Sequence, residues 1–286
     1  MPNLTDVKVI RDLCARYDFA LSKGFGQNFI VNPGICPRMV EAAGIDESFG
    51  VLEIGPGIGV LTKELAARAA KVVAVEVDER LPPLLAETLA DCPNVKIVMG
   101  DVLKVDLTKL IAEEFAGLKV AVCANLPYYI TSPIVMRLLE ERLPVEHITV
   151  MVQKEAAERM TAAPGGKTWC ALAATVQYFA RCETVMALPP ASFTPPPHVD
   201  SALLRLEPYG DDAPVRAADD AMMLRVIRSA FAMRRKTLAN NLTAAFALPR
   251  EEAAALIESL GLDARVRGEA LSIAQLAALS DRLSAR

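Results

Sequence analysis

The 286-residue sequence lacks the features of several large protein classes. No apolar run reaches the roughly 18 residues that a membrane-spanning helix needs, and residues 1–10 lack the apolar centre of a secretory signal peptide. The six cysteines form no C-x-x-C pair, and the two histidines, His147 and His198, are far apart. Neither a zinc site nor a disulfide framework is indicated. We therefore expect a cytoplasmic protein with reduced thiols, no membrane segment and no metal.

An excess of basic residues is also absent, because the formal net charge at pH 7 is −4. This argues weakly against a nucleic-acid partner, since contacts to phosphate need Lys and Arg. One local exception lies between Arg225 and Lys236, where five basic residues occur with no acidic one. On charge alone, this stretch is as typical of a solvated helix face as of an RNA-binding surface.

The remaining composition, 52% hydrophobic and 23% charged, is that of an ordinary globular protein. Short segments rich in Val and Ile alternate with helix-sized stretches between Val51 and Val152. This pattern predicts an α/β fold with a doubly wound, mainly parallel sheet. The predicted strands are 51–54, 71–75, 95–99, 119–124 and 147–152, with an added antiparallel pair at 184–188 and 201–206.

The composition changes after Leu206. Residues 207–216 are polar and contain two prolines, which is typical of a linker. The following chain is rich in Ala and Leu at helical spacing, Pro249 suits a helix start, and Ser272–Gln275 fits a capping box. We predict a catalytic α/β domain over residues 1–206 and a small all-helical domain over residues 207–286.

A glycine-rich turn follows the first predicted strand, where residues 51–59 read VLEIGPGIG. Glycines such as Gly55 and Gly57 let the backbone turn tightly and approach a ligand. A dinucleotide-binding fold would need G-x-G-x-x-G, whereas the spacing here is G-x-G-x-G. That spacing, with an acidic residue two positions before Gly55, resembles the cofactor loop of class I methyltransferases. Alone it is a weak signal, because many strand–helix turns need glycine.

Acidic residues end the next two predicted strands. Glu76 lies 21 residues after Gly55 and can accept hydrogen bonds from both ribose hydroxyls of a nucleoside. Asp101, followed by Val102, can accept from an adenine amino group. Each carboxylate alone could be a solvated residue at a strand end. Both, however, follow the carboxyl ends of predicted strands, which is where open α/β sheets bind ligands. Together they therefore indicate a binding site.

The segment Asn125–Tyr128, with the sequence NLPY, follows the fourth predicted strand and indicates the reaction. It resembles the Asn-Pro-Pro-Tyr motif of methyltransferases that act on exocyclic amino groups. The lone pair of adenine N6 is delocalised into the ring, so this nitrogen is a poor nucleophile. The Asn125 side-chain carbonyl and the Leu126 backbone carbonyl can accept both N6 hydrogens and free the lone pair. Pro127 stiffens the turn, and Tyr128 can stack on the base.

Two flanking segments could complete such a site. Residues 26–30, GQNFI, include Asn28 and Ile30 and could fold over a cofactor. Phe193 lies in a proline-rich loop, where its ring could sandwich the target base against Tyr128. The alternative for Phe193 is a core anchor for an irregular loop.

Together these segments resemble one family, the KsgA/RsmA ribosomal RNA adenine dimethyltransferases. The resemblance extends from about Gly24 to Leu242, and the helical tail suits the small C-terminal domain of that family. The segments that carry it occur in the family's order: GFGQNFIVNP, LEIGPGIGVLT, VEVD, GDVLKVD, NLPYYITSPI, MVQKEAAERM, FTPPPHVDSALLRL and FAMRRKTLANNL.

The resemblance implies a seven-stranded class I methyltransferase domain that uses S-adenosylmethionine. It also implies dimethylation of N6 on two adjacent adenosines near the 3′ end of small-subunit (16S) rRNA, within an immature 30S subunit. We expect a monomer. The implied cofactor contacts are Asn28, Ile30, Gly55, Glu76, Asp101 and Asn125, and the implied contacts to the target base are Asn125, Leu126, Tyr128 and Phe193.

The sequence departs from the family at a segment that is often more basic, which here reads Ser22-Lys23-Gly24-Phe25. We therefore expect RNA contacts from Lys23 and, more importantly, from Arg234, Arg235 and Lys236.

Three other functions share parts of these motifs. An antibiotic-resistance enzyme that dimethylates one adenosine of large-subunit rRNA has the same catalytic motifs, but FAMRRKTLANNL favours the small subunit. A non-catalytic nucleic-acid-binding factor could lose NLPY and the cofactor motifs freely, yet both are intact. A small-molecule methyltransferase would need neither the aromatic pair nor the basic helix.

Overall fold

The structure is a computed structural model that describes residues 3–19 and 28–286. Lys23, Gly26 and Gln27 lie outside the described residues, so the roles expected of them stay predictions. The strands are β1 (Phe29–Ile30), β2 (Phe49–Ile54), β3 (Lys71–Glu76), β4 (Val95–Met99), β5 (Lys119–Asn125), β6 (His147–Gln153), β7 (Ala180–Leu188), β8 (Phe193–Thr194) and β9 (Ser201–Pro208).

Helices separate most of these strands and form the C-terminal part of the chain. Their bounds are α1 (Val7–Arg16), α2 (Ile35–Ala42), α3 (Val60–Ala66), α4 (Pro82–Thr88), α5 (Leu107–Glu114), α6 (Thr131–Glu140), α7 (Lys154–Met160), α8 (Ala171–Phe179), α9 (Asp220–Ala230), α10 (Leu238–Phe246), α11 (Arg250–Glu258) and α12 (Ile273–Ser284).

Seven strands of the described residues form one sheet in the order β4-β3-β2-β5-β6-β9-β7. The pairs β2–β3, β2–β5, β3–β4 and β5–β6 are parallel, and β9 joins β6 antiparallel. All six residues of β2 are buried, because this central strand is covered on both faces. The predicted seven-stranded α/β fold is confirmed.

A short second sheet pairs β1 with β8, with Ile30 opposite Phe193. The side chains of Ile30 and Phe193 pack into the main core with Met39 of α2 and Leu203 of β9. This pairing is absent from the strands that the sequence predicted, because two-residue strands carry no periodicity.

The chain divides into two compact units. The first contains the described residues up to Ala157 together with 182–208, and the second contains residues 158–181 and 209–286. This grouping differs from the expected contiguous boundary at residue 206, because residues 158–181 belong with the C-terminal helices. In the second unit, Trp169 Nε1 donates to the Leu271 carbonyl at 3.2 Å, and the Tyr178 hydroxyl donates to Asp220 Oδ1 at 2.6 Å.

Capping residues set the ends of helices in the second unit. Pro249 is the N-cap of α11, and the predicted capping box of α12 is present. There the Ser272 N–H donates to Gln275 Oε1 at 2.9 Å, and the Gln275 N–H donates to Ser272 Oγ at 3.3 Å. These bonds satisfy donors that a helix start leaves unpaired.

We expect Gly268→Ala to destabilise the second unit. A Cβ at this buried glycine would lie 2.0 Å from the Ala230 carbonyl oxygen, a backbone atom that cannot rotate away. Overpacking of this kind costs about 1–3 kcal/mol, which lowers the melting temperature by roughly 3–10 °C in a chain of this size. Thermal unfolding followed by circular dichroism measures the shift.

Gly34→Ala is the control, because its Cβ would meet Asn32 Oδ1 at 3.5 Å, an ordinary contact. We expect this variant to unfold within a degree or two of the original protein. Equal melting temperatures for both variants would contradict the close approach of Gly268 to Ala230.

Candidate active site

A cavity of about 310 Å³ opens at the carboxyl ends of the parallel strands β2, β3, β4 and β5. This is where open α/β sheets bind ligands, and the volume lies at the lower end of that of ligand pockets. Residues of all these strand ends line the same cavity, so the structure brings together most of the sequence-predicted site. The predicted residues that line it are Asn28, Ile30, Gly55, Gly57, Glu76, Asp101, Val102, Asn125, Leu126, Pro127 and Tyr128.

The glycine turn after β2 depends on backbone conformations that favour glycine. Gly55, Gly57 and Gly59 have φ angles of 69°, 59° and 89°. A Cβ at Gly57 would lie 3.2 Å from the ring of Phe29, another residue that lines the cavity. The turn is held by a hydrogen bond of 2.9 Å from the Gly55 N–H to the Val75 carbonyl of β3. The glycines therefore bring this backbone close to the cavity.

Glu76 ends β3 with a side chain that is 5% exposed. Its Oε1 accepts hydrogen bonds of 2.8 Å from the backbone N–H groups of Val77 and Asp78. Burial raises the pKa of the Glu76 carboxyl, and these backbone donors oppose the shift. The Gly57 N–H also stabilises the carboxylate. Oε2 is not engaged by Val77 or Asp78 and keeps capacity to accept from a ligand.

Asp101 follows β4 in a loop that α6 holds in place. Its Oδ1 accepts from the Leu103 N–H at 3.0 Å, and Lys104 Nζ lies 3.4 Å from Oδ2. Arg137 of α6 donates to the carbonyl oxygens of Val102 and Val105, the second at 2.8 Å. Sequence reasoning did not identify Arg137, because no local pattern links α6 to a loop more than thirty residues earlier.

The NLPY segment presents its acceptors from the end of β5. Asn125 Nδ2 donates to the Asn28 carbonyl at 3.1 Å, so the side-chain oxygen remains as an acceptor. Leu126 is buried, and its N–H donates to the Met151 carbonyl of β6 at 3.1 Å. The Pro127 carbonyl accepts from the Ile130 N–H at 3.2 Å, which closes the turn. These bonds hold the segment in one conformation.

Tyr128 is half-buried at the wall of the cavity, and its hydroxyl forms a 2.6 Å hydrogen bond with the Ser201 hydroxyl of β9. Burial raises the pKa of the Tyr128 phenol, so it is uncharged at neutral pH. The next residue, Tyr129, also lines the cavity and is 59% exposed. Sequence reasoning did not single out Tyr129, although it lies within the quoted segment NLPYYITSPI.

Glu53 is a second cavity residue that sequence reasoning did not assign a role. It lies in β2 two positions before Gly55, is 1% exposed, and its Oε2 has no hydrogen-bond partner among the described residues. Burial raises the pKa of the Glu53 carboxyl to about 8; the Thr62 hydroxyl opposes this shift, and the charge of Glu76 adds to it. The only sequence signal was its place in the spacing of the glycine motif.

Phe193 does not join the cavity residues. It is 3% exposed and packs in the core, because its pairing with Ile30 holds β8 against β1. The structure therefore does not place this ring where the predicted stacking on a base would need it. It agrees with the alternative that the sequence left open, a core anchor for an irregular loop.

The predicted basic residues Arg234, Arg235 and Lys236 lie in the second unit, in an exposed turn between α9 and α10. Arg234 Nη2 donates to the Lys167 carbonyl at 3.2 Å, and its Nε lies 3.7 Å from Glu269 Oε2. Arg235 and Lys236 are exposed side chains that can contact an RNA phosphate.

Within residues 3–19 and 28–286, no helix combines the length and apolar character that crossing a membrane requires. No group of three His, Cys, Asp or Glu side chains in this part of the chain is arranged to hold a metal ion.

Comparison with known proteins relates the whole chain to one family. The family model for ribosomal RNA adenine dimethylase matches residues 19–285. Ribosomal RNA small subunit methyltransferase A of Geobacillus thermodenitrificans is 47% identical over 279 residues, which cover 96% of this chain and 94% of the relative. The protein of the same name from Bacillus mycoides is 45% identical over 277 residues, with the same two shares covered.

Two solved structures are also similar. A dimethyladenosine transferase from Plasmodium falciparum has a TM-score of 0.74 at 27% identity, covering 88% of this chain and 95% of that one. The 23S rRNA methyltransferase ErmE has a TM-score of 0.67 at 28% identity, covering 90% of this chain and all of the other. The fold is that of class I S-adenosylmethionine-dependent methyltransferases. The chain belongs to the ribosomal RNA adenine dimethylase family.

Proposed function

We propose that this enzyme dimethylates N6 of two adjacent adenosines near the 3′ end of 16S rRNA, using S-adenosylmethionine and acting on an immature small subunit. One observation carries the proposal: Asn125 and Leu126 line the same cavity as Glu76 and Asp101. The acceptors for an exocyclic amino group and the carboxylates for a nucleoside thus share one site. We expect it to act as a monomer in the cytoplasm.

The cavity residues fit the proposed cofactor. Glu76 has one carboxylate oxygen not used by Val77 and Asp78, which can accept from ribose hydroxyls. Asp101 is partly exposed and can accept from the adenine amino group, and the turn at Gly55 lets a ligand approach the backbone. Bound there, S-adenosylmethionine supplies a methyl group on a positively charged sulfur.

Asn125 and Leu126 prepare the nucleophile. The Asn125 side-chain oxygen and the Leu126 carbonyl oxygen accept the two N6 hydrogens, which draws the nitrogen toward a tetrahedral geometry and localises its lone pair. Tyr128, an uncharged phenol held by Ser201, provides a ring on which the base can stack. Base–aromatic stacking is worth about 1–3 kcal/mol and helps offset the cost of extruding the base.

No strong general base is needed, because the methylated ammonium product is acidic and loses its proton to water. The contribution of the protein is mainly alignment of the nitrogen with the methyl group, which can supply about 7–11 kcal/mol of the barrier reduction. The bonds from Asn125 to Asn28 and from Leu126 to Met151 maintain this alignment.

The relatives support small-subunit rather than large-subunit rRNA as the substrate. The two small-subunit methyltransferases are 47% and 45% identical to this chain, whereas the 23S rRNA enzyme ErmE is 28% identical. The experiment that tests the proposal therefore also measures methylation of large-subunit rRNA.

We expect methyl transfer from labelled S-adenosylmethionine to small subunits that lack the modification, mapped by primer extension to two adjacent adenosines. Asn125→Ala removes one acceptor for the N6 hydrogens. It should lower kcat by about 10²–10³-fold, the effect of removing one preorganised hydrogen-bonding group from an active site. Mature subunits and large-subunit rRNA serve as substrate controls.

Asn94→Ala is the matched protein control, since the Asn94 amide donates to the Ala66 and Ala69 carbonyls and does not line the cavity. At temperatures at which this variant is folded, it should have the same kcat as the original protein. Label found only in large-subunit rRNA would move the activity to that substrate. Binding of S-adenosylmethionine without any label would refute the catalytic proposal.

We expect the double change Arg235→Ala and Lys236→Ala to weaken RNA binding. A plot of log affinity against log salt concentration has a negative slope. Removal of two phosphate contacts should make this slope shallower by about 1–2. Filter binding of small-subunit rRNA at increasing KCl concentrations measures the slope.

Lys109→Ala with Arg265→Ala is the control pair. These side chains are 68% and 88% exposed, and each lies near a carboxylate of its own segment, Glu113 and Asp263. The control should leave the salt slope unchanged. An equal loss of slope in both double variants would refute a specific role for the basic turn.

A further inference from the structure

Glu53 is a buried acid for which the proposed methyl transfer requires no role. It lies in β2 opposite Ala74 of β3, lines the cavity, and its Oε2 has no hydrogen-bond partner among the described residues. A charged carboxylate in such a place loses its hydration, and the Thr62 hydroxyl compensates for this only in part. The uncharged acid is therefore favoured, in agreement with the pKa of about 8 that burial produces.

Among the residues that the structure describes, no basic side chain contributes to the electrostatics of Glu53. Cys36 of α2 and Cys123 of β5 are thiols whose pKa values are raised by burial, with Glu53 itself adding to both shifts and Glu64 adding to that of Cys36. Thr62 of α3 contributes a hydroxyl, and the charge that acts on Glu53 is that of Glu76. The surroundings therefore favour a cationic ligand, which would be attracted to both carboxyl groups.

The position of Glu53 relates it to the reacting centre. In the pairing of β2 with β5, Leu52 lies opposite Val122, which places Glu53 beside Cys123 and two residues before the level of Asn125. With a rise of about 3.3 Å per residue and a strand spacing of about 4.8 Å, the two Cα atoms are separated by roughly 8 Å. A positive charge bound in this cavity beside Asn125 would lie within the field of Glu53.

We propose that Glu53 is the ionisable counter-ion of the methyl donor's sulfonium. It carries a proton in the ligand-free protein and releases that proton to solvent when the sulfonium enters the cavity. Methyl transfer converts the sulfonium to a neutral thioether, and Glu53 then takes a proton back from solvent. This inference rests on the proposed function, because the positive charge that Glu53 balances is that of the proposed methyl donor.

Because binding of the donor releases a proton, the affinity of the protein for the donor depends on pH. The donor binds best to the ionised Glu53, so its affinity rises by up to tenfold per pH unit below about pH 8 and levels off above it. Glu76 also titrates with a raised pKa, and the amino group of the donor titrates too. Both groups are present with either protein, so the difference between the original protein and Glu53→Gln reports Glu53 together with its coupling to Glu76.

The test is isothermal titration calorimetry at pH 7 in phosphate and in Tris, whose different ionisation heats reveal proton release. We expect S-adenosylmethionine to release close to one more proton from the original protein than from Glu53→Gln. S-adenosylhomocysteine, which lacks the sulfonium but keeps the amino group, should release distinctly fewer. Equal release by the two ligands, or release unchanged in Glu53→Gln, would overturn the proposal.

A titration of the original protein alone keeps the test independent of the variant. Near pH 9.5 Glu53 is already ionised, so the excess release by S-adenosylmethionine over S-adenosylhomocysteine should vanish, and its persistence would contradict the assignment. Absence of binding by both ligands would refute the proposed function and this inference with it. Binding without excess proton release would refute the inference alone.

The ligand-free proteins provide a further readout. Because the folded state of the original protein binds a proton that the unfolded state has lost, its stability falls as pH rises from about 4.5 to about 8. Glu53→Gln should not share this decline, so its melting temperature relative to that of the original protein should rise toward pH 8. Parallel curves for the two proteins would show that Glu53 is not held in its uncharged form.

Discussion

Parallel pairing of β2 with β3 on one side and β5 on the other is the constraint on which the site depends. The register sets Ile54 opposite Val75 and Leu52 opposite Val122, so these strands end at one edge of the sheet. A slip by one residue would exchange the side chains that β2 presents to the two faces of the sheet, so each set would meet the packing built for the other. Glu76 and Asn125 are thereby brought to the same cavity although 49 positions separate them in the sequence.

Burial beside the apolar sheet disfavours the charged form of the acids in this cavity. The acids differ in the hydrogen bonds and ion pairs that stabilise them. Glu76 is bound by the backbone N–H groups of Val77 and Asp78. Asp101 accepts from the Leu103 N–H at 3.0 Å, and Lys104 Nζ lies 3.4 Å from its Oδ2. Glu53 has no such partner at Oε2 and stays protonated to higher pH. Ionisable groups in such unfavourable surroundings are concentrated at functional sites, where a ligand of opposite charge can offset the unfavourable free energy of their burial.

The helical unit depends on different forces. Helices α9, α10 and α12 begin at side-chain caps, supplied by Asp219, Thr237 and Ser272. The buried Trp169 ring donates to the Leu271 carbonyl. The close approach of Gly268 to Ala230 leaves no room for a side chain. In the same unit, the turn at Arg235 and Lys236 is exposed to solvent.

Local patterns in the sequence determined the central strands, the glycine turn, the NLPY segment and the capping box, because each depends on neighbours within a few positions. Strand ends of one parallel sheet also share an edge, so the shared site of Glu76, Asp101 and Asn125 followed from the order of motifs. Only the tertiary structure decided that Phe193 is a core residue, that residues 158–181 join the C-terminal helices, and that Arg137 secures a distant loop. It alone also showed the isolation of Glu53. These features depend on burial and on contacts between residues far apart in the sequence, which no local pattern encodes.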